Sequence, residues 1–236
     1  MRNRCATIWF MTAVLIMAAD QGFGVIDFKD GAAHDINYMI RLDDVRVDYQ
    51  APGKKTTVNM LAGGSIYFPM TTNGYNDGRL NIFAGARVFS LYTHDSFKVT
   101  MSGGEVPLVL DAYDSSQIII SGGTVSRLYA RDSSKAIMSG GIIKTDMVLI
   151  TNAELTLDGS NFAVDGNPVG FGEITSLLGG DYSNEPYRTL TGTLANGDIL
   201  NSPFRIGDYA SITLVPEPCT LLLLGLGAAI VSRRRR

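Results

Sequence analysis

A short motif built on glycine recurs at nearly constant spacing through the middle of the chain, and such self-similarity limits the available folds more than any other feature. The copies are Met60-Leu-Ala-Gly-Gly-Ser-Ile66, Ile82-Phe-Ala-Gly-Ala-Arg-Val88, Thr100-Met-Ser-Gly-Gly-Glu-Val106, Ile119-Ile-Ser-Gly-Gly-Thr-Val125, Ile137-Met-Ser-Gly-Gly-Ile-Ile143 and Thr156-Leu-Asp-Gly-Ser-Asn-Phe162. Their first glycines stand at 63, 85, 103, 122, 140 and 159, in steps of 22, 18, 19, 18 and 19 residues.

Stacked on those glycines, the copies give columns of like residues. Leu61, Phe83, Met101, Ile120, Met138 and Leu157 stand two positions before the glycine, and Ile66, Val88, Val106, Val125, Ile143 and Phe162 three after it. Val99, Ile118, Ala136 and Leu155 stand four before it, and Leu91, Leu110, Leu128 and Val148 form a further column. Apolar and polar residues alternate over short stretches, which is the period of a strand. A unit of 18–19 residues with two short strands cannot bury its own apolar face, but stacked copies bury one column upon the next.

The expected fold is therefore all-β: a right-handed parallel β-helix, or β-solenoid, of about six rungs of 18–22 residues across 59–162. Rungs about 4.8 Å apart make this body roughly 29 Å long. A leucine-rich repeat has a similar period, but the Leu-x-x-Leu-x-Leu spacing and a helical stretch per unit are both missing. Residues 25–58, with the strand-like Asp44-Val-Arg-Val-Asp48, are expected to cap the first rung, whose bare edge would otherwise invite aggregation. Residues 163–215 change character and are expected to form a C-terminal β cap from Gly166-Asn-Pro-Val-Gly170, Leu190–Ile199 and Ala210–Val215. The 26 glycines and only 18% charged residues agree with a turn-rich β protein.

A second corner is marked by His94-Asp-Ser, Tyr113-Asp-Ser, Arg131-Asp-Ser and Thr151-Asn-Ala, so Asp95, Asp114, Asp132 and Asn152 are expected to stack. The column reads as turn chemistry, since short Asx side chains bond nearby amides and tolerate bends; a cation or sugar ladder is the functional alternative.

The two ends are of another kind. Two arginines precede an apolar run up to Ala19, the build of a secretory signal peptide over 1–24. Gly22 and Gly24 suit cleavage near Val25, and Ala19 offers a second position. At the other end stand Pro216-Glu217-Pro218, thirteen uncharged residues (219–231), Ser232 and the cluster Arg233, Arg234, Arg235 and Arg236. The prolines favour an extended, accessible stretch. The apolar run reaches roughly 20 Å as a helix, short of a ~30 Å hydrocarbon core, and the arginines hold their end in the cytoplasm.

These three elements, in order at the chain end, resemble the PEP-CTERM sorting domain of exported bacterial proteins. The resemblance implies recognition at Pro216, Glu217 and Pro218 by an exosortase, a membrane protease-transpeptidase, with a transient C-terminal membrane helix that is then removed. It also implies export through the translocon, signal peptidase cleavage, a destination at the cell envelope or extracellular surface, and an association with exopolysaccharide. The body is similar, more distantly, to β-helix ectodomains of such proteins.

The body's chemistry excludes several classes. Without the six end arginines, residues 25–215 keep 14 basic and 21 acidic residues, a balance of −7 that repels a phosphate backbone, so no nucleic-acid partner is expected. Both cysteines, Cys5 and Cys219, lie in the end segments, so the body offers no disulfide and no thiolate metal site. No cofactor or metal is expected: His34 and His94 are far apart, and the oxygen-rich run 158–167 lacks EF-hand spacing. No catalytic motif occurs, and the chain is expected not to be an enzyme. The alternative is a polysaccharide lyase or hydrolase on a β-helix scaffold, with Arg127 and Arg131 near Asp132 as candidates. The preferred reading is a structural or adhesive surface protein, with Tyr92 and Tyr129 in one outward column suited to stacking on sugars.

Overall fold

The computed structural model describes residues 24–41, 43–67, 71–174, 187–207 and 209–217. The expected signal peptide, apart from Gly24, and the C-terminal apolar helix lie outside the described residues.

Within them the chain is all-β and winds as a solenoid of about seven turns, against the six expected. The first turn is β1 (Gly24–Phe28), β2 (Ala33–Ile36) and β3 (Met39–Ile40). The second is β4 (Asp43–Val47), β5 (Thr57–Met60) and β6 (Ser65–Ile66); the third is β7 (Thr72–Gly74), β8 (Arg79–Ile82) and β9 (Arg87–Val88). Then come β10 (Ser90–Thr93), β11 (Lys98–Val106), β12 (Val109–Ala112), β13 (Gln117–Ala130), β14 (Lys135–Leu149) and β15 (Glu154–Val164). The closing elements are β16 (Asn167–Pro168), β17 (Gly172–Glu173), β18 (Arg188–Leu194), β19 (Ile199–Ile206) and β20 (Ser211–Pro216).

Each turn lays one segment on each of three parallel faces. The first face runs β1, β4, β7, β10 and β12, then the ends of β13 and β14. The second runs β2, β5 and β8, then the starts of β11, β13, β14 and β15. The third runs β3, β6 and β9, then the middles of β11, β13 and β14. Parallel pairing thus starts at Gly24, and residues 25–58 wind as turns of the same solenoid where a separate cap was expected.

The apolar columns point inward. Val58, Leu80, Val99, Ile118, Ala136 and Leu155 form one buried row, and Ile66, Val88, Val106, Val125 and Ile143 another. Two rows differ from expectation by one residue. Met101 pairs with Ile82, and Ile82 with Met60, so Leu61 and Phe83 are not in the core row; Phe83 is 40% exposed. The cause is corner length. Turns two and three pass the corner with four residues, 61–64 and 83–86, whereas later turns use three, Ser102-Gly103-Gly104 and its repeats. Likewise Leu128 pairs with Met147, which takes the place expected for Val148.

The three-residue corner explains its glycine pair. In the Gly122-Gly123 copy, a Cβ on Gly122 would come 2.8 Å from the Ser102 carbonyl oxygen of the turn below, and Gly123 has φ of 92°. One position lacks room for a side chain and the other lacks an easy conformation for one. β11, β13 and β14 pass this corner as continuous strands with register shifts at the glycines.

The far end closes differently. After an Asp165-Gly166 turn the chain pairs back on β15, and β18 lies antiparallel to both β15 and β19. The last part of β19, then β20, rejoin the stack in parallel, Phe204 beside Met147 and Ser211 beside Glu154. The expected C-terminal β segments are present, and they combine a hairpin plug with a final rung.

Candidate functional site

The sorting residues begin where the solenoid ends. Alternation in Ser211-Ile-Thr-Leu214 buries Ile212 and Leu214 completely and makes β20 a strand. β20 is held on one side by β15, with Asp158 beside Val215 and Gly159 beside Pro216, and on the other by β17 through Leu214 and Thr213. Pro216 lacks an amide hydrogen and sits at the last ladder position, where none is required. Ser160 Oγ donates to Glu217 Oε1 at 3.3 Å. Burial raises the Asp158 carboxyl above its ordinary pKa. Two of the three predicted motif residues therefore emerge directly from the final rung, with no spacer. Pro218 and Arg233 to Arg236 lie outside the described residues. Among the described residues no helix is long and apolar enough to cross a membrane.

The Asx column forms, shifted at one position. Asp95, Asp114 and Asp132 all have left-handed φ of 56–57°. Asp132 accepts the Asp114 amide at 3.2 Å, Asp114 accepts the Asp95 amide at 3.0 Å, and Asp95 accepts the Asn76 amide at 3.1 Å. Each carboxylate bonds the residue one turn below, which extends the column to Asn76. Thr151, with φ of 65°, takes the next place, and Asn152 is equivalent to Ser133. Among the described residues no group of three or more His, Cys, Asp or Glu is placed to hold a metal ion.

The residue before each Asx forms a second ladder that the sequence reading missed. Tyr75 stacks on His94 and His94 on Tyr113, both at 5.0 Å between ring centres, and Arg131 lies 5.3 Å over Tyr113. The signal was present in the very triplets that marked the corner, but Tyr, His and Arg do not look alike as a column. His34 sits apart, bonded to Asp30 at 2.8 Å.

Tyr92 and Tyr129 do share an outward column, separated by Asp111. Asp111 is 3% exposed; it accepts Arg131 Nε at 2.9 Å and the Tyr113 hydroxyl at 3.0 Å. Burial, then the Asp111 charge, pushes the Tyr113 phenol up to about 12. Arg131 therefore pairs with Asp111 and stacks on Tyr113 and Tyr129, while Arg127 faces Asp146 at 3.8 Å. Neither forms an ion pair with Asp132. The closure repeats this chemistry: the Tyr187 hydroxyl donates to Asp146 at 2.8 Å, with Arg205 3.9 Å over the ring.

No curated protein and no solved structure matches the chain. Residues 214–236 match the family model described as the PEP-CTERM protein-sorting motif, so the chain carries the signal of an exported protein processed by exosortase through a transient C-terminal membrane anchor.

Proposed function

We propose that the processed body is a non-catalytic structural or adhesive protein of the cell surface or extracellular matrix, associated with exopolysaccharide. The carrying observation is the junction at Pro216: the sorting motif leaves the final rung directly, so its recognition presents a rigid rod at the envelope. On such a rod outward side chains repeat at the rung spacing of about 4.8 Å, which suits an extended polymer. The carboxylates nearest the aromatic face are already engaged, Asp111 by Arg131 and Tyr113 and the Asx column by backbone amides. Such groups serve as braces and not as proton carriers. In this reading the translocon and signal peptidase act on the N-terminus, and exosortase on the tail.

Two measurements test it. Intact mass of the exported protein should show loss of both ends; an intact arginine tail on surface-exposed protein contradicts the sorting route. Incubation with the native exopolysaccharide should give saturable binding with no new unsaturated or reducing ends; sugar release would instead favour the lyase or hydrolase reading.

A further inference from the structure

The geometry points to a cation-lined groove on the second face as a binding site for an acidic polysaccharide, an inference that rests on the binding reading above and narrows it to one place and one charge type. Arg79 on β8 and Lys98 on β11 are direct register partners. Their rungs lie about 4.8 Å apart, and like charges placed opposite each other on one sheet face destabilise it. Lys55, from the corner before β5, joins them around a cavity of about 160 Å³ also lined by Asp77, Ser96 and Gln117.

Among the described residues no carboxylate lies within the 4.0 Å of an ion pair from Lys55, Arg79 or Lys98. Asp77 instead accepts a hydrogen bond from Ser96 Oγ at 2.6 Å. Lys135, further along the same column, is neutralised by Glu154 at 2.9 Å. Three cations with no ion-pair partner among the described residues thus gather around a cavity that holds one carboxylate, Asp77, on a body whose balance is −7 over residues 25–215. A bound anion would relieve their mutual repulsion.

The neighbouring outward column says what kind of anion. Asn59 Nδ2 donates to Asp35 Oδ1, and Asn81 Nδ2 to Asn59 Oδ1, both at 2.8 Å, and Thr100 continues the row. From Asn59 through Asn81 to Thr100 this makes a strip of amide and hydroxyl groups beside the cations, crossing three rungs, with the Asp35 carboxylate at its far end. Acid groups and hydroxyls alternating along one chain match both strips together; a compact inorganic anion engages only the cations. A bilayer presents its charge as a plane and would meet the acidic remainder of the body, whereas a single polymer chain meets only the groove.

The test measures binding of the purified exported protein to polygalacturonate, to neutral dextran, and to phosphatidylcholine vesicles containing phosphatidylglycerol. Polygalacturonate should bind, more weakly as salt rises. The R79Q/K98Q pair should weaken it at least about tenfold, as expected for losing two charge-assisted contacts. The K29Q/K144Q pair, which removes equal charge elsewhere, should leave affinity unchanged, and neither pair should unfold at a lower temperature than the parent. Equal losses in the two pairs, or tighter binding to vesicles than to polygalacturonate, overturn the groove. Binding to dextran or native polymer that R79Q/K98Q does not alter overturns the groove and leaves the broader binding reading standing. Failure to bind any polysaccharide overturns both.

Discussion

The central turns and the C-terminal closure bury similar apolar columns by opposite means. In the central turns a residue meets its counterpart one turn away, so cross-turn bonds such as those of the Asp ladder span 18 or 19 residues. In the closure the contacts span far more of the chain. Tyr187 reaches Asp146 across 41 residues, Asp198 accepts the Gly141 amide across 57, and Asn196 donates to the Ser121 carbonyl across 75. The hairpin tip Asn196-Gly197 sits on the glycine corner and takes the place another turn would have filled. Repetition makes each central turn replaceable by its neighbour, while the closure depends on contacts made once.

Substitutions at close-packed glycines should break that comparison most strongly. Gly123→Val adds a branched side chain at φ of 92°, against Met101 and Gly103. It should cost about 3 kcal/mol or more in chemical unfolding, and propagate to neighbouring turns. Gly159→Val should cost as much, since its Cβ would collide with the Thr193 carbonyl in the closure. Hydrogen exchange separates the two: Gly159→Val should expose amides of β18 to β20 while β11 and β13 stay protected. Uniform loss of protection in both variants would show one cooperative unit instead.

The Asp corner should respond less. Asp114→Ala loses the bond to the Asp95 amide and keeps a left-handed φ of 57°, for a cost of about 1–2 kcal/mol in urea unfolding. Asp114→Gly loses the same bond but relieves the backbone, so it should cost less than alanine. A glycine variant worse than alanine would show that the left-handed backbone costs less here than the added freedom glycine gives the unfolded chain.

These contrasts also explain what the sequence made legible. The rows through Val99 and Val106 could be read because inward positions tolerate only apolar residues at fixed spacing. Leu61 and Phe83 were misplaced because a one-residue longer corner keeps the glycine motif but shifts the strand. Outward columns carry no such constraint, so Arg79 and Lys98 left no repeat signature. The Pro216-Glu217-Pro218 motif was legible because the sorting signal is a short contiguous run of sequence, matched over residues 214–236. The closure was legible as strands but not as contacts, since nothing near Asn196 in sequence points to Ser121.

Asp198 tests the closure at milder cost. Its carboxyl is held below its ordinary 3.8, chiefly by the Asn196 side chain and then by the Gly141 amide. A depressed carboxylate contributes stability above pH 3.8 that is lost as pH falls through the lower, folded value. Asp198→Ala should therefore destabilise by about 1 kcal/mol at neutral pH and flatten the acid limb of the stability curve below pH 3.8. An unchanged acid limb would mean that the hairpin tip does not brace the corner.

The smallest effects set one tyrosine of each region against the other. Tyr113 and Tyr187 each donate to a buried aspartate beside an arginine, and each phenol is raised, first by burial. A raised phenol contributes stability that is complete below its unfolded pKa of 10 and, for Tyr113, lost between pH 10 and about 12. Tyr113→Phe should cost only about 0.5 kcal/mol at neutral pH, because Asp111 keeps Arg131, and should remove a tyrosine that titrates up to about pH 12 from an ultraviolet titration. Tyr187→Phe breaks a contact made across 41 residues at the entry to β18. It should cost a similar amount globally but loosen the closure locally, seen as faster amide exchange at Thr189 and Leu190. If Tyr113→Phe loosens its own turn as much as Tyr187→Phe loosens β18, then stacking on neighbouring turns protects a side-chain contact no better than a unique tertiary contact does, and the distinction between the two regions ends at the backbone.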